Sequence, residues 1–75
     1  METFPGISVD AGIRFGKACI SGTRIDVATV LGALGAGDSF ESVQENYALT
    51  REQILDALRY AAQVAAHQPP AVMAA

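Results

Sequence analysis

A single cysteine and a single histidine are all that this 75-residue chain offers in thiol or imidazole chemistry. One cysteine excludes an internal disulfide, and Cys19 with the distant His67 cannot make up the ligand set of a structural metal site, so neither metal nor cofactor is expected. Nor do the two make a catalytic pair. A thiol becomes a nucleophile only beside a base or in a cationic setting, and His67 falls at the far end of the last expected helix. Cys19 therefore reads as a reduced, buried small hydrophobe, and His67 as a surface residue near a helix C-terminus, where a positive charge suits the macrodipole. No catalytic residue is expected, and the chain reads as non-enzymatic. A phosphate loop is missing too: Gly16-Lys17 is followed by Ala18, and Ala11 stands where a Walker motif needs its first glycine.

Aromatic residues are few, namely Phe4, Phe15, Phe40, Tyr47 and Tyr60, and much of the 51% hydrophobic share is alanine and valine. The core is thin. A chain of this length buries only about 60% of its unfolded surface, which leaves oligomerisation as the remaining way to add buried area. A homodimer or an obligate complex is expected. No stretch approaches the roughly 18 apolar residues of a membrane span, and the N-terminus lacks the charged-then-apolar order of a signal peptide. A cytoplasmic protein without membrane contact is expected.

What cationic charge there is gathers at one end. The net charge is −3, the wrong sign for a surface that tracks nucleic acid throughout. Residues 1–25 nevertheless carry Arg14, Lys17 and Arg24 against Glu2 and Asp10, whereas the rest carries only Arg51 and Arg59 against six carboxylates. Any nucleic-acid contact belongs more naturally to the first third.

Hydrophobic patterning divides the chain into a β arm and three helices. Pro5-Gly6 is a turn signal, Ile7-Ser8-Val9-Asp10 alternates apolar and polar as a half-buried strand does, and Ile13-Arg14-Phe15 alternates again after Ala11-Gly12. Residues 7–25 read as a short β arm with one or two hairpin turns. Asp26 is a good N-cap, and Val27, Val30, Leu31 and Leu34 follow at helical spacing, predicting a first helix over about 27–36 with Gly37 as its stop. Gly32 and Gly35 weaken that helix unless another backbone packs closely there. Ser39 caps a second helix over 39–47 with Phe40, Val43 and Tyr47 on one face. Thr50 and Gln53 form a capping box that opens a third helix over 51–66, with Ile54, Leu55, Leu58, Ala61, Ala62 and Ala65 as its apolar stripe. Residues 1–66 form one domain, and 67–75 read as a flexible tail. The fold class is mainly α: three helices, two of them joined by a tight turn in helix-turn-helix manner, preceded by a short β arm.

The run Gly16-Lys17-x-Cys19-Ile20-x-Gly22-Thr23-Arg24-Ile25-x-Val27, followed by Gly37, Ser39, Leu49-Thr50 and Tyr60-Ala61-Ala62, resembles the bacterial family catalogued as domain of unknown function 433. The resemblance implies a homeodomain-like helical fold and a VapB-like antitoxin role, encoded beside a toxin of PIN-like nuclease fold. The chain departs from the family pattern at Ala18, Ser21 and Asp26, where proline, arginine and proline are common. Loss of a basic residue at Ser21 weakens a nucleic-acid reading of the motif.

Five residues stand out as candidates for binding nucleic acid or a partner: Arg14, Lys17, Arg24, Arg51 and Gln53. Lys17 and Arg24 flank a turn, where they either meet phosphates or an acidic partner or, for Arg24, pair with a carboxylate within the domain or dimer. Arg51 and Gln53 sit where a recognition helix would enter the major groove, although Glu52 and Asp56 there would face phosphates. A dimeric β arm presenting Arg14, Lys17 and Arg24 twice is the other way to meet DNA, since strands also enter grooves. Glu41, Glu45, Glu52 and Asp56 read as solvated surface or as a mimic of nucleic acid toward a basic partner. The expected function is that of an antitoxin that neutralises a PIN-like ribonuclease and autoregulates its operon through DNA. The alternative is a stand-alone helix-turn-helix regulator of transcription.

Overall fold

The computed structural model describes residues 1–67; of the tail expected over 67–75, His67 instead ends the last helix, and residues 68–75 lie outside the described residues. Strand β1 (Glu2–Phe4) turns through Pro5-Gly6 into β2 (Ile7–Ser8), which pairs with β3 (Cys19–Ile20), giving an antiparallel sheet of order β1-β2-β3. Gly6 is required at that turn, because its φ is +81° and a methyl group there would overlap the Asp56 carboxylate. Strand β1 was not among the expected elements. It is three residues long and its alternation is concealed by the turn dipeptide, so only pairing with β2 defines it.

A second departure lies between β2 and β3. Ile13, Arg14 and Phe15 form no strand. Arg14–Gly16 is a single tight helical turn in which Arg14 (φ 51°), Phe15 (φ 58°) and Gly16 (φ 78°) all occupy the left-handed region. Gly16 N–H donates to Ile13 O and Lys17 N–H to Arg14 O, each at 3.1 Å. Only Gly16 takes this conformation freely; for the two residues with a Cβ the strain is about 1–2 kcal/mol each. Phe15, counted among the few aromatics of the core, is instead 96% exposed.

The helices follow their caps. Helix α1 (Val27–Gly35) starts where Asp26 Oδ1 accepts from Thr29 N–H at 2.7 Å, α2 (Phe40–Tyr47) where Ser39 Oγ accepts from Ser42 N–H at 3.0 Å. Helix α3 (Arg51–His67) opens on the reciprocal box, Thr50 N–H to Gln53 Oε1 at 2.8 Å and Gln53 N–H to Thr50 Oγ1 at 3.1 Å. Gly37 (φ 101°) follows the end of α1, as its sequence position implies. The molecule is a small domain of three mutually contacting helices with the sheet at its N-terminus.

Its core is Ile7, Ile20, Val27, Val30, Val43, Leu49, Ile54 and Ala57, so β2 and β3 seal one side of the helices. Phe4 reaches the same helix further along, meeting Tyr60 edge to face at 5.7 Å. The apolar stripe of α3 is narrower than expected. Ile54 and Ala57 are buried, but Ala62, Val64 and Ala65 are exposed, because a 17-residue helix of about 25 Å outruns partners of nine and eight residues. Gly32 and Gly35 also differ from expectation: among the described residues no backbone packs on them, and a side chain at either would enter open space.

Candidate binding surface

The segment with the most unusual chemistry is the loop that joins the sheet to α1. It folds back as a tight hairpin: Ile20 N–H donates to Ile25 O at 2.9 Å and Val27 N–H to Ala18 O at 2.8 Å. Gly22 turns the chain with φ +79°. Thr23 locks it, donating its hydroxyl proton to Ile20 O at 2.8 Å and accepting from Ile25 N–H at 3.1 Å. Ser21, where arginine is common in the family pattern, donates to Glu2 Oε1 at 3.1 Å and lies 2.6 Å from the Ser8 hydroxyl, tying the hairpin to β1 and β2. Glycine, threonine and the isoleucines thus each have a structural task. Arg24 has none: it is exposed, and its side chain forms no hydrogen bond or ion pair among the described residues.

Beneath the hairpin lies Asp26, 3% exposed. Besides capping α1 it accepts from Arg14, whose Nη2 and Nε approach Oδ2 at 3.1 and 3.3 Å. Hydrogen bonds from Thr29 outweigh the effect of burial and, with the Arg14 guanidinium, hold the Asp26 carboxyl below the usual carboxylate range. The chain therefore pairs an arginine with an internal carboxylate, but through Arg14 rather than Arg24. Cys19, bridged to Asp26 through the backbone, is buried and donates to Lys17 O at 3.4 Å. Burial, with Asp26 nearby, pushes its thiol upward, away from the thiolate.

The five sequence candidates do not come together as one patch. Arg24 and Ile13 border a hollow of about 360 Å³ beside β2. Lys17 borders a second, more apolar hollow of about 470 Å³ between α1 and α3, lined by Ala28, Leu31, Tyr60, Ala61 and Val64. Arg51 and Gln53 stand at the other end of α3, two to three turns or about 15 Å from Tyr60 to Val64. Arg51 lies over the Phe40 ring, 4.7 Å from its centroid, and Gln53 is held by the capping box. Arg59 binds Glu52 at 2.8 Å and Asp56 at 2.9 Å, so both α3 carboxylates share a cation on the surface.

Two features were missed by reading residues one by one. The α1–α3 hollow is built partly by residues of the expected apolar stripes, and the exposed Phe15 lies in the chain between Ile13, which borders the first hollow, and Lys17, which borders the second. The trace of the latter in the sequence is Gly16, whose positive φ the left-handed turn requires.

The family model described as "Protein of unknown function (DUF433)" matches residues 7–61, from β2 through the first part of α3. The chain belongs to this family. Within the DUF433 match lie the hairpin, the Arg14–Asp26 pair and the three helix starts. The DUF433 chain is similar to a protein of Mycobacterium tuberculosis (strain ATCC 25618 / H37Rv) named "Putative antitoxin VapB45", with 41% identity over 52 residues that cover 69% of this chain and 22% of that protein. It is also similar to the X-ray crystal structure of Rv2018 from Mycobacterium tuberculosis, at a TM-score of 0.64 and 36% identity over 69% of this chain and 24% of that one. The aligned part is less than a quarter of either relative.

Among the described residues no group of three or more histidine, cysteine or acidic side chains is placed to hold a metal ion, and no helix is long and apolar enough to cross a membrane.

Proposed function

We propose that this chain is the antitoxin of a toxin–antitoxin pair: it binds and neutralises a nuclease of PIN-like fold and, as a homodimer or in that complex, binds the DNA of its own operon. The observation that carries the reading is the 41% identity to a relative whose name designates an antitoxin, over 52 residues of this chain. The surface supports it. Lys17 and Arg24 are exposed cations with no partner among the described residues, and an apolar hollow opens between α1 and α3.

A metal-dependent ribonuclease must gather carboxylates where it holds RNA. A guanidinium such as that of Arg24, presented from a rigid hairpin, pairs bidentately with carboxylates and competes with substrate there. The order of three helices, with residues 48–50 alone joining α2 to α3, agrees with a homeodomain-like helix-turn-helix. Cytoplasmic residence follows from the same reading.

Co-expression with the nuclease encoded by the adjacent gene tests the proposal. Copurification and relief of growth arrest are expected; neither occurring would overturn it. The unpartnered Lys17 and Arg24 also favour a second reading, a stand-alone DNA-binding regulator. That reading requires the isolated chain to bind a specific duplex with an affinity that falls steeply with salt, and a flat salt response contradicts it.

A further inference from the structure

Phe15 stands 96% exposed on a turn in which it and Arg14 both adopt left-handed backbone. A chain with five aromatic residues uses the other four to pack against its core or each other. Placing the fifth in water, on strained backbone, gains nothing for folding. Strain of this kind persists only where surrounding contacts enforce it, and it collects at functional sites.

Here the contacts that enforce it are identifiable. Ile13 N–H donates to Asp10 O at 2.9 Å, and two further backbone bonds close the turn. Arg14, inside it, is fastened to the buried Asp26 carboxylate, which also starts α1. The turn is therefore fastened to the start of α1, and the backbone that carries Phe15 outward is held in place. An exposed aromatic on a fixed backbone has only its own two side-chain torsions to lose on association, which suits an anchor residue at a protein interface. Arg24 borders the same hollow as Ile13, and Lys17, two residues beyond Phe15, borders the apolar one; neither cation has a partner among the described residues.

We propose that Arg14–Gly16 is the anchor of a protein interface, with Phe15 entering an apolar pocket on the partner and Lys17 and Arg24 meeting carboxylates at that pocket's rim. Charge favours a protein over nucleic acid: Asp10 lines the same hollow as Arg24, α1 beside the turn carries no charge, and α2 and α3 together carry four carboxylates against two arginines. Arg14 is a positioning residue that holds the turn. The proposal rests on the antitoxin reading, which supplies the partner's chemistry as that of an acidic nuclease.

The test uses the full chain and the nuclease encoded by the adjacent gene, with affinity measured by calorimetry. Phe15→Ala and Phe15→Asn are expected to weaken binding about thirtyfold or more while the thermal midpoint holds or rises, because Phe15 supports nothing in the fold. Lys17→Ala and Arg24→Ala should slow association and reduce its salt dependence. The chain lacks tryptophan, so Phe15→Trp adds a reporter whose emission should shift to the blue as the nuclease covers it. Binding of Phe15→Ala within about threefold of the parent chain overturns the anchor and leaves the antitoxin reading standing. A parent chain that binds no nuclease overturns both. Quenching of the Phe15→Trp reporter by a short single-stranded RNA, lost in Lys17→Ala, overturns the protein partner in favour of base stacking.

Discussion

Asp26 concentrates three tasks in one carboxylate and its backbone: it caps α1, fastens Arg14, and pairs with Cys19 across the bridge. Replacing it by alanine removes a cap and a charge-assisted contact together, a loss of about 2–4 kcal/mol. For a domain this small the thermal midpoint should fall by more than about 10 °C, as read by circular dichroism. The pH dependence has a defined sign. The folded-state pKa of Asp26 is lowered, so the unfolded chain holds that proton more tightly, near the ordinary value of about 3.9. The stabilisation is fully present above that pH and drains away as pH falls through the folded value. Denaturant titrations at neutral and acid pH should show this limb in the parent and a flatter one in Asp26→Asn. Phe15 presents the opposite balance. Asparagine tolerates left-handed backbone better than phenylalanine, so Phe15→Asn should raise the thermal midpoint by a few degrees, roughly what relief of about 0.5–1 kcal/mol provides, and a fall of several degrees would show that Phe15 packs against something after all.

At the scale of elements, what could be read from the sequence was what is decided locally. Asp26, Ser39 and the Thr50–Gln53 pair announce helix starts because a cap satisfies N–H groups within three residues of itself, and all three starts stand where those residues put them. Gln53→Ala should therefore cost about 1 kcal/mol in denaturant unfolding, and it should leave nuclease binding unchanged if its task is the cap. Strand β1 and the left-handed turn could not be read in this way. The first exists through pairing with β2, and the second through Arg14 reaching Asp26 twelve residues on. Neither contact leaves a mark on neighbouring residues, apart from the glycine at position 16. The same limit applies to the binding candidates. Residue type identified five of them, but only the fold shows that Arg14, Arg51 and Gln53 are occupied within the chain while Lys17 and Arg24 have no partner among the described residues.

On the scale of the whole molecule, the division of charge along the sequence becomes a division in space. The sheet end carries Lys17, Arg24 and the exposed aromatic, and the helices carry four of the eight carboxylates, two of them bound to Arg59. Such a molecule is suited to docking by one end. The core is small, and the far part of α3 offers Val64 and Ala65 to solvent beside an apolar hollow, so self-association is expected. Sedimentation over a range of concentrations should show a dimer in exchange with monomer; a monomer throughout would remove the homodimer from the proposal and leave the complex with the nuclease. The antitoxin reading itself is tested most directly by adding the purified chain in steps to the ribonuclease encoded beside it and following RNA cleavage. The account predicts that cleavage falls in proportion to added chain and stops near stoichiometry, and cleavage unchanged at large molar excess would contradict it.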